Sequence, residues 1–369
     1  MKLLYLFTFD YSLKVWNKAG ILERELAYFS ELKKNNIDIK IVTYGDASDE
    51  KLLNNIDLEI YPIYKFTSRS KYKLFRILKS LLFPWIIKKN VEFDIIKQNQ
   101  LQGSWVAMLL KIISRKKLII RTGYDVFLFS IKENKAFLKK VLIYLLTQLA
   151  LLVADLYTIS SNDDKDFLEK KFILKNNKMN IRRNWVVVDP SVASFSSRIS
   201  ESILSVGRLE KQKNFLKLID FAENTYHKLI IFGTGSEYEK ISEYAKYKKV
   251  SLTINEPVEN KELIKIMKNY IFFITTTLFE GNPKTILEAM GAGCVVVAPN
   301  SKNNIEIIEN NHNGYLFDLK NENPFNIIKN KDIKELENIS INAISTVKNN
   351  YSFEKFIADE LLELKKIYD

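Results

Sequence analysis

The stretch of sequence that decides the fold is residues 279–293, FEGNPKTILEAMGAG, together with the apolar run that follows, Cys294-Val295-Val296-Val297. The apolar residues 271–275 come shortly before it, so a buried strand, a loop, a helix and a second buried strand are predicted in succession. In the loop, Asn282 can cap a helix whose first-turn proline is Pro283. Unpaired backbone N–H groups and the positive end of the helix dipole then meet at the carboxyl edge of a sheet. The stretch therefore predicts an anion site that suits a diphosphate.

Two glutamates lie in this stretch. Glu280 belongs to the loop, and Glu288 lies about one and a half turns into the predicted helix, at 3.6 residues per turn. One carboxylate can therefore face a bound sugar while the other reaches ribose hydroxyls. Glutamates on loops and exposed helix faces are usually ordinary surface residues, so the context singles these two out. Small residues after the helix and a buried strand are typical of a ligand site at a sheet edge.

The same alternation of apolar and amphipathic runs extends along the whole chain and predicts parallel sheets wrapped by helices. The predicted strands are residues 3–9, 37–44, 93–97, 117–121 and 156–159, then 202–206, 229–232, 251–254, 271–275 and 295–298. Helices are predicted at 20–35, 135–154 and 353–368. The pattern restarts after residues 184–197, which contain Pro190 and several serines and alanines, so we place a linker there. The prediction is an α/β chain of two Rossmann-like domains, residues 1–190 and 191–369, the second with a terminal helix.

The composition is that of an ordinary globular protein of two domains. The 369 residues are 47% apolar and include one cysteine, Cys294, so no disulfide is expected and a reducing, cytoplasmic compartment is predicted. The apolar residues 1–7 are short, lack a cleavage site, and predict a first strand and not a signal peptide. The longest uncharged stretch, Val141–Ala154, is too short to cross a bilayer.

The positive charge is concentrated in the first half. Residues 1–195 hold 33 Lys and Arg against 20 Asp and Glu, and the remainder holds 23 against 24. From Lys65 to Val91 there are eight Lys or Arg, no acid, and many interleaved apolar side chains. One interpretation is a peripheral contact with an anionic membrane, at the inner face of the cytoplasmic membrane. The other is a solvated helix face beside a stripe of core residues.

Two motifs resemble a known family. Glu280 and Glu288, eight positions apart, resemble the paired-glutamate motif of the family 4 (group 1) retaining glycosyltransferases. Residues 205–214, SVGRLEKQKN, are similar to the same family's strand followed by Gly-Arg-Leu, with Lys213 five positions after Arg208. The resemblance implies a GT-B fold, in which two Rossmann-like domains face each other across a donor and acceptor cleft. It also implies a C-terminal helix that crosses back.

The resemblance assigns roles to residues of the second half. Arg208 and Lys213 would clamp the donor diphosphate, which suits a forked cation beside a mobile one. With Glu280 they form the expected catalytic set. The expected substrate-binding residues are Glu288, Gly281, Asn282, Pro283, Thr285 and Pro257, the last on the segment where the family holds the nucleotide base. The turn at residues 232–235, FGTG, is similar to the family's Gly-rich turn and is a weak signal alone.

The first half is less typical of the family. Gly20 can allow a close approach of the backbone to a phosphate or sugar, or it can simply begin a helix. Residues 121–125, RTGYD, end a strand and resemble a segment of some family members. Many members have a histidine near there that faces the reacting sugar, but this chain has none in its first half, so Asp125 is a substitute candidate.

The predicted reaction is metal-independent transfer with retention, from a UDP- or GDP-linked sugar to a glycan or lipid-linked acceptor. No His/Cys set that would bind a metal is evident, and no cofactor is expected. Cell-surface polysaccharide or lipopolysaccharide synthesis would use such a step. The alternatives are another GT-B enzyme, such as a nucleotide-sugar epimerase or a sugar phosphorylase, and a nucleic-acid-binding protein, which a pI near 9.3 also suits. No nucleic-acid partner is predicted, because the motifs lie in the half that is not basic.

Overall fold

The computed structural model describes residues 1–53, 57–174, 179–188 and 194–369. The chain divides into two compact units, the first formed by Met1–Arg183 with Ile357–Asp369 and the second by Asn184–Phe356. The division begins where the predicted linker, residues 184–197, begins. The predicted boundary between residues 190 and 191 lies outside the described residues.

The predicted extent of the second domain, residues 191–369, is wrong at its C-terminal end. Residues 357–369 belong to the first unit. The physical reason is a buried charge, because Glu360, 1% exposed, forms an ion pair with Lys97 in the sheet of the first unit. The crossing back of the terminal helix, which the family resemblance implies, is confirmed.

A seven-stranded parallel sheet forms the centre of the first unit in its described part. Its strands are β1 (Lys2–Leu6), β2 (Asp38–Thr43), β3 (Glu59–Pro62), β4 (Ile95–Asn99), β5 (Lys117–Arg121), β6 (Leu156–Ile159) and β7 (Met179–Ile181). The spatial order is β3-β2-β1-β4-β5-β6-β7, and each neighbouring pair is parallel. The order of connections reverses between β1 and β4.

Helices cover both faces of this sheet. They are α1 (Leu13–Lys18), α2 (Leu22–Lys34), α3 (Lys73–Ser80), α4 (Phe83–Asn90), α5 (Ser104–Ser114), α6 (Val126–Lys132), α7 (Phe137–Val153) and α8 (Asn162–Lys171). Crossovers between parallel strands are right-handed, so connections that run the same way along the sheet lie on the same face. The connections from β3 to β4, β5, β6 and β7 all run one way, which places α3 to α8 in one layer. The connections from β1 to β2 and β3 run the other way, which places α2 on the opposite face.

The second unit is built around a six-stranded parallel sheet within the described residues, in the order β10-β9-β8-β11-β12-β13. Its strands are β8 (Ile199–Val206), β9 (Lys228–Phe232), β10 (Leu252–Asn255), β11 (Tyr270–Ile274), β12 (Val295–Pro299) and β13 (Tyr315–Phe317). Its helices are α9 (Phe215–Ala222), α10 (Tyr238–Tyr247), α11 (Asn260–Met267), α12 (Lys284–Gly291), α13 (Lys302–Ile305), α14 (Pro324–Ile328) and α15 (Ile333–Asn350). The terminal helix α16 (Phe353–Tyr368) begins in the second unit, and its residues from Ile357 onward belong to the first.

Two apolar cores enclose the sheet of the second unit. Along β11, Phe272 and Ile274 point into one core and Phe273 points into the other. Successive side chains of a strand face opposite sides, so a strand buried on both faces must be apolar at every position. This explains why the sequence of β11 shows a continuous apolar run and no alternation.

All ten strands predicted from the sequence are confirmed, with 117–121 and 156–159 at their predicted bounds. The three strands that were not predicted are β3, β7 and β13, which are three or four residues long and lie at sheet edges. Short edge strands bury less surface, and β3 ends in Pro62, which is tolerated at an edge. Helix α1 was also not predicted. No helix in the described ranges combines the length and apolarity needed to cross a bilayer.

Candidate active site

The site lies at the carboxyl edge of the second sheet, where the order of connections reverses. From β8 the chain passes to β9 and β10 on one side and returns to β11 on the other. Loops that follow two such strands diverge and leave a crevice, which is where open α/β sheets bind ligands. The loop after β8 carries Arg208 and Lys213, and the loop after β11 carries Glu280.

The turn after β8 packs tightly against the turn after β9. Backbone N–H groups of Gly207 and Leu209 donate to Phe232 O at 3.1 Å and Thr234 O at 2.9 Å. A Cβ atom on Gly233 would lie 1.9 Å from Gly207 O, and a Cβ on Gly235 would lie 2.4 Å from Leu209 O. The Gly-rich turn, a weak signal in the sequence, therefore lets two loops meet backbone to backbone and sets the course of the loop that holds Arg208.

Lys213 and Glu280 form an ion pair across the crevice between these loops. Their side chains are 14% and 19% exposed. The backbone N–H of Leu278 donates to Gln212 O at 2.9 Å, and Gln212 Nε2 donates to Phe279 O at 2.7 Å. The pair is therefore held in position by hydrogen bonds between the residues that precede each partner.

Arg208 is not part of this pair. Its side chain is exposed and forms no ion pair within the part of the chain that the structure describes. An exposed guanidinium beside a lysine is available to an anionic ligand, since it has two parallel donors that match phosphate oxygens. The structure brings Lys213 and Glu280 together and leaves the Arg208 guanidinium without a carboxylate partner among the described residues.

Helix α12 begins one residue later than predicted. Pro283 is the N-cap residue, and no side chain caps the helix, so the predicted capping by Asn282 is wrong. The φ of Pro283 is −75° and its carbonyl already accepts from Ile286 N–H at 3.1 Å. Thr285 N–H has no hydrogen-bond partner in the described residues, so this helix end retains a donor for an anion. Gly281 and Pro283 are buried beside it.

Glu288 is buried, although it lies on a helix and carries a charge. It is 4% exposed, and its Oε1 accepts from Asn260 Nδ2 at 2.7 Å and from Lys284 Nζ at 2.8 Å. Buried carboxylates in proteins are paired or hydrogen-bonded because desolvation is costly. Both partners contact Oε1, so Oε2 remains for a further donor such as a ribose hydroxyl.

Three residues of this site were missed by the sequence predictions. Asn260 and Lys284 hold Glu288, and the side chain of Asn303, 6% exposed, donates through Nδ2 to Glu280 O. Lys284 had a detectable signal, because it lies four positions before Glu288 on one helix face. Asn260 and Asn303 had none, because their partners are 28 and 23 positions away.

Pro257 lies on the exposed loop between β10 and α11. The loop leads directly to Asn260, the first residue of α11, which contacts Glu288. Pro257 is therefore at the rim of the same edge of the sheet as Glu288. Its contact with a nucleotide base stays a prediction.

Gly20, in the first unit, has a structural role at the end of α1. Gly20 N–H donates to Asn17 O at 3.0 Å and Ile21 N–H donates to Trp16 O at 3.1 Å, which is the Schellman motif. The motif requires a left-handed residue, and the φ of Gly20 is +66°. A Cβ there would meet nothing within 4 Å. Glycine is thus needed for backbone conformation and not for space, and contact with a ligand stays a prediction.

Asp125, also in the first unit, is the N-cap residue of α6. It is 1% exposed, and its Oδ1 accepts from the backbone N–H of Leu128. Burial, with a smaller contribution from the neighbouring Asp164, raises its pKa to about 7. Burial likewise raises the pKa of Asp164 to about 6. The carboxyl group is buried at the N-cap of α6, and its contact with the reacting sugar stays a prediction.

The chemical groups that the second unit brings to this edge of its sheet would suit a diphosphate ester. Arg208, Lys213 and the amino end of α12 can stabilise negative charge, while Glu280 and Glu288 can accept hydrogen bonds from hydroxyl groups. Among the described residues there is no group of three or more His, Cys, Asp or Glu side chains placed to bind a metal ion.

Comparisons with known proteins show that the chain is similar to glycosyltransferases. A family model described as glycosyl transferases group 1 matches residues 195–338. The Escherichia coli UDP-Gal:alpha-D-GlcNAc-diphosphoundecaprenol alpha-1,3-galactosyltransferase is 21% identical over 367 residues, which cover 94% of this chain and 93% of that protein. The Campylobacter jejuni N-acetylgalactosamine-N,N'-diacetylbacillosaminyl-diphospho-undecaprenol 4-alpha-N-acetylgalactosaminyltransferase is 26% identical over 67% of this chain and 70% of its own length.

A solved structure shares the fold of the whole chain. It is the glycosyltransferase from Rickettsia africae, which superposes with a TM-score of 0.73 at 19% identity and covers 99% of this chain and 98% of that one. One conclusion follows from three observations, which are the two Rossmann-like units, the family match over residues 195–338 and the site around Lys213 and Glu280. This chain is a glycosyltransferase of the GT-B fold that resembles the group 1 enzymes.

Proposed function

We propose that this chain is a retaining, metal-independent glycosyltransferase that moves a sugar from a UDP- or GDP-linked donor to a lipid-linked acceptor. The observation that carries the proposal is the ion pair between Lys213 and Glu280, which lies at the reversal point of the second sheet beside the unpaired Arg208. No cofactor is involved, because the donor supplies the leaving group.

The proposed step breaks the bond between the anomeric carbon and the donor phosphate oxygen. The diphosphate keeps the electron pair, and Arg208, Lys213 and the amino end of α12 stabilise its growing charge. The acceptor oxygen forms the new bond on the same face of the sugar and loses its proton. Glu280 orients Lys213 and can accept a hydrogen bond from a sugar hydroxyl, so the site supplies both charge stabilisation and orientation.

The acceptor class is suggested by the relatives. The names of two relatives specify acceptors linked to diphosphoundecaprenol and products with alpha linkages. A retaining transfer yields an alpha linkage from an alpha-linked donor. We therefore place the step in the synthesis of a cell-surface glycan on a lipid carrier.

A lipid-linked acceptor makes a peripheral membrane position part of the proposal. The segment from Lys65 to Val91 exposes Tyr72, Leu74, Phe75, Leu78, Leu82 and Trp85. The segment contains no acid, but Lys65 pairs with Glu50, and Arg69 and Arg76 both pair with Asp10. The remaining lysines have no carboxylate partner in the described residues, so apolar side chains and free cations remain on one segment. That combination fits the inner face of an anionic cytoplasmic membrane.

The test is a transfer assay with a panel of UDP- and GDP-sugars and a polyprenyl-diphosphate sugar in detergent, with and without excess EDTA. We expect transfer to persist in EDTA, and we expect proton NMR to show that donor and product share an anomeric configuration. An inverted product, or activity that returns only with magnesium or manganese, would contradict the proposal. A requirement for inorganic phosphate, or interconversion of free nucleotide sugars, would favour a phosphorylase or an epimerase.

A further inference from the structure

Helix α7 has an exposed apolar face opposite the side that packs into the fold. Leu138, Leu142, Leu145, Leu149 and Leu152 are 69%, 59%, 51%, 52% and 37% exposed, and we call them the leucine face. Their spacing of four, three, four and three positions keeps them on one side of the helix. The opposite side supplies the buried residues Thr147, Ala150 and Leu151. A helix that packs on one side only ordinarily has polar residues on the other, so the leucine face indicates a partner.

The charged residues within α7, Lys139 and Lys140, are both positive and lie in its amino-terminal part. No Asp, Glu, Lys or Arg occurs between Val141 and Ala154, whereas Lys132, Lys135, Lys139 and Lys140 precede the leucines or accompany the first of them. The acid among residues 126–153 is Glu133, which pairs with Lys135. The first turn of α7 contains no acidic residue. Cations there oppose the helix dipole, so an anion outside the protein would offset an unfavourable arrangement.

The leucine face shares a layer with the exposed segment of α3 and α4. Helix α5 packs against α4 and against α7, and the right-handed crossovers place all of them on one side of the first sheet. Two apolar faces with lysines nearby therefore lie on either side of α5. Pairing of α7 with a second copy of the chain would cover the leucine face alone, whereas a planar anionic surface offers apolar and anionic contact to both.

We propose that α7 is a membrane-inserting helix, whose leucine face enters the acyl boundary of an anionic bilayer while Lys139 and Lys140 contact lipid phosphates. The leucine face spans about 21 Å at 1.5 Å per residue, so the helix lies in the plane of the interface. In this arrangement α3 and α4 supply long-range attraction and α7 supplies insertion. The inference rests on the proposed function, because it names the element that brings the enzyme to its lipid-linked acceptor.

The first experiment measures partition onto vesicles of phosphatidylglycerol and phosphatidylcholine. We compare the wild-type chain with the triple variant Leu142→Gln, Leu145→Gln, Leu149→Gln. The matched control is Ile305→Gln, Ile341→Gln, Leu362→Gln, which removes three similarly exposed apolar side chains elsewhere. We expect the leucine-face variant to lose at least tenfold in partition, at low and at high salt, and the control to lose less than twofold. Equal partition of all three proteins would overturn the inference.

The second experiment locates the helix in the bilayer. A fluorophore on Leu145→Cys should shift to the blue and be quenched by brominated lipid chains, whereas the same label on Ile341→Cys should not. Cys294 is 0% exposed, so labelling is selective for the new cysteine. Absence of quenching at residue 145 refutes insertion. So does a wild-type dimer that the leucine-face variant converts to monomer without any change in vesicle binding.

The two proposals fail in distinguishable ways. Sugar transfer to an acceptor in detergent, together with no insertion of residue 145, would retain the proposed function and remove the inference. Insertion without any transfer would retain the inference and remove the proposed function. Donor hydrolysis should be the same in the leucine-face variant and the wild type, since the donor residues belong to the second unit.

Discussion

Lys97 and Glu360, separated by 263 positions in the chain, form an ion pair inside the first unit. Lys97 Nζ also donates to Tyr28 Oη at 3.0 Å, and Arg182 lies within 4.0 Å of the same glutamate. Burial opposes ionisation of Glu360, yet its pKa lies below the usual value because Lys97 and Arg182 are adjacent. The terminal helix is thus attached to the sheet of the first unit by charge as well as by apolar packing.

Breaking this pair should destabilise the chain strongly. Glu360→Ala leaves the Lys97 ammonium buried without its carboxylate, which should cost about 3–5 kcal/mol of unfolding free energy. The double variant Lys97→Met, Glu360→Leu should recover most of that loss, because replacing both charges with apolar groups leaves no unpaired charge. Urea unfolding provides the measurement, with exposed Lys365→Ala on the same helix as a control expected within about 0.5 kcal/mol of wild type. A single variant as stable as the control would show that the pair contributes nothing.

Glu288→Ala should weaken binding of the free nucleoside diphosphate by about 1.5–3 kcal/mol, because the two ribose hydroxyls of the bound nucleotide would lose their charged hydrogen-bond acceptor. Isothermal titration calorimetry with UDP and GDP measures the loss directly. Glu262→Ala, on the exposed side of α11, is the matched control and should bind as wild type does. Unchanged affinity of the Glu288 variant would remove this residue from the donor site.

Arg208→Ala should lower turnover by on the order of 10²-fold with little change in melting temperature, because the side chain serves the leaving group and not the core. Lys213→Ala should lower turnover similarly but also lower the melting temperature, since Glu280 loses its partner. Lys211→Ala, two positions before Lys213, controls for the loss of a positive charge alone. Steady-state kinetics and thermal melts, repeated in excess EDTA, decide the matter, and a normal rate for Arg208→Ala would exclude that residue from the site.

The acid pair Asp125 and Asp164 should make stability depend on pH. Their pKa values of about 7 and about 6 in the fold compare with about 3.9 in an unfolded chain, so the folded state holds more protons between roughly pH 4 and 7. The unfolding free energy should therefore fall as pH rises through that window. Asp125→Asn keeps the cap of α6 without the charge.

The measurement is denaturant unfolding at pH 5 and pH 8. At each pH we compare the unfolding free energy of Asp125→Asn with that of the wild type. This difference should favour the variant by about 1–3 kcal/mol more at pH 8 than at pH 5, since one pKa unit corresponds to about 1.36 kcal/mol. Asp166→Asn, exposed on α8, should show no such difference. If both variants follow the wild-type pH dependence, the buried acids are ionised in the fold or are not coupled to unfolding.

Charge reversal on the basic segment should release the protein from anionic vesicles. The suitable set is Lys71→Glu, Lys73→Glu and Lys89→Glu, whose side chains are exposed and unpaired within the described residues. Arg76 is unsuitable because its guanidinium is bidentate to Asp10. Binding should weaken as salt rises, since each basic side chain near such a surface contributes about 1 kcal/mol and is screened. Flotation assays measure it, and a wild-type chain that ignores anionic vesicles at low salt would refute the membrane contact.

Local sequence was sufficient to predict ten strands and to single out Glu280 and Glu288 as candidate donor residues. Buried parallel strands are apolar at every position, and the motif around Glu280 and Glu288 lies within a single strand-loop-helix unit, so both are visible in a short window. The helix cap was predicted wrongly at Asn282, because the backbone places Pro283 at the cap. Edge strands such as β13 were missed because three residues provide too little pattern.

What the sequence by itself determined is the alternation of strands and helices, the existence of two units and the positions of the paired glutamates. Only the tertiary structure decided which charges meet: Lys213 with Glu280, Lys97 with Glu360, and Arg76 with Asp10. The physical reason is that hydrophobic periodicity reports which side of one local element is buried, a property of neighbouring residues. Ion pairing depends on distance in space, and a segment without acids along the chain, such as Lys65–Val91, still receives Asp10 and Glu50 from elsewhere in the fold.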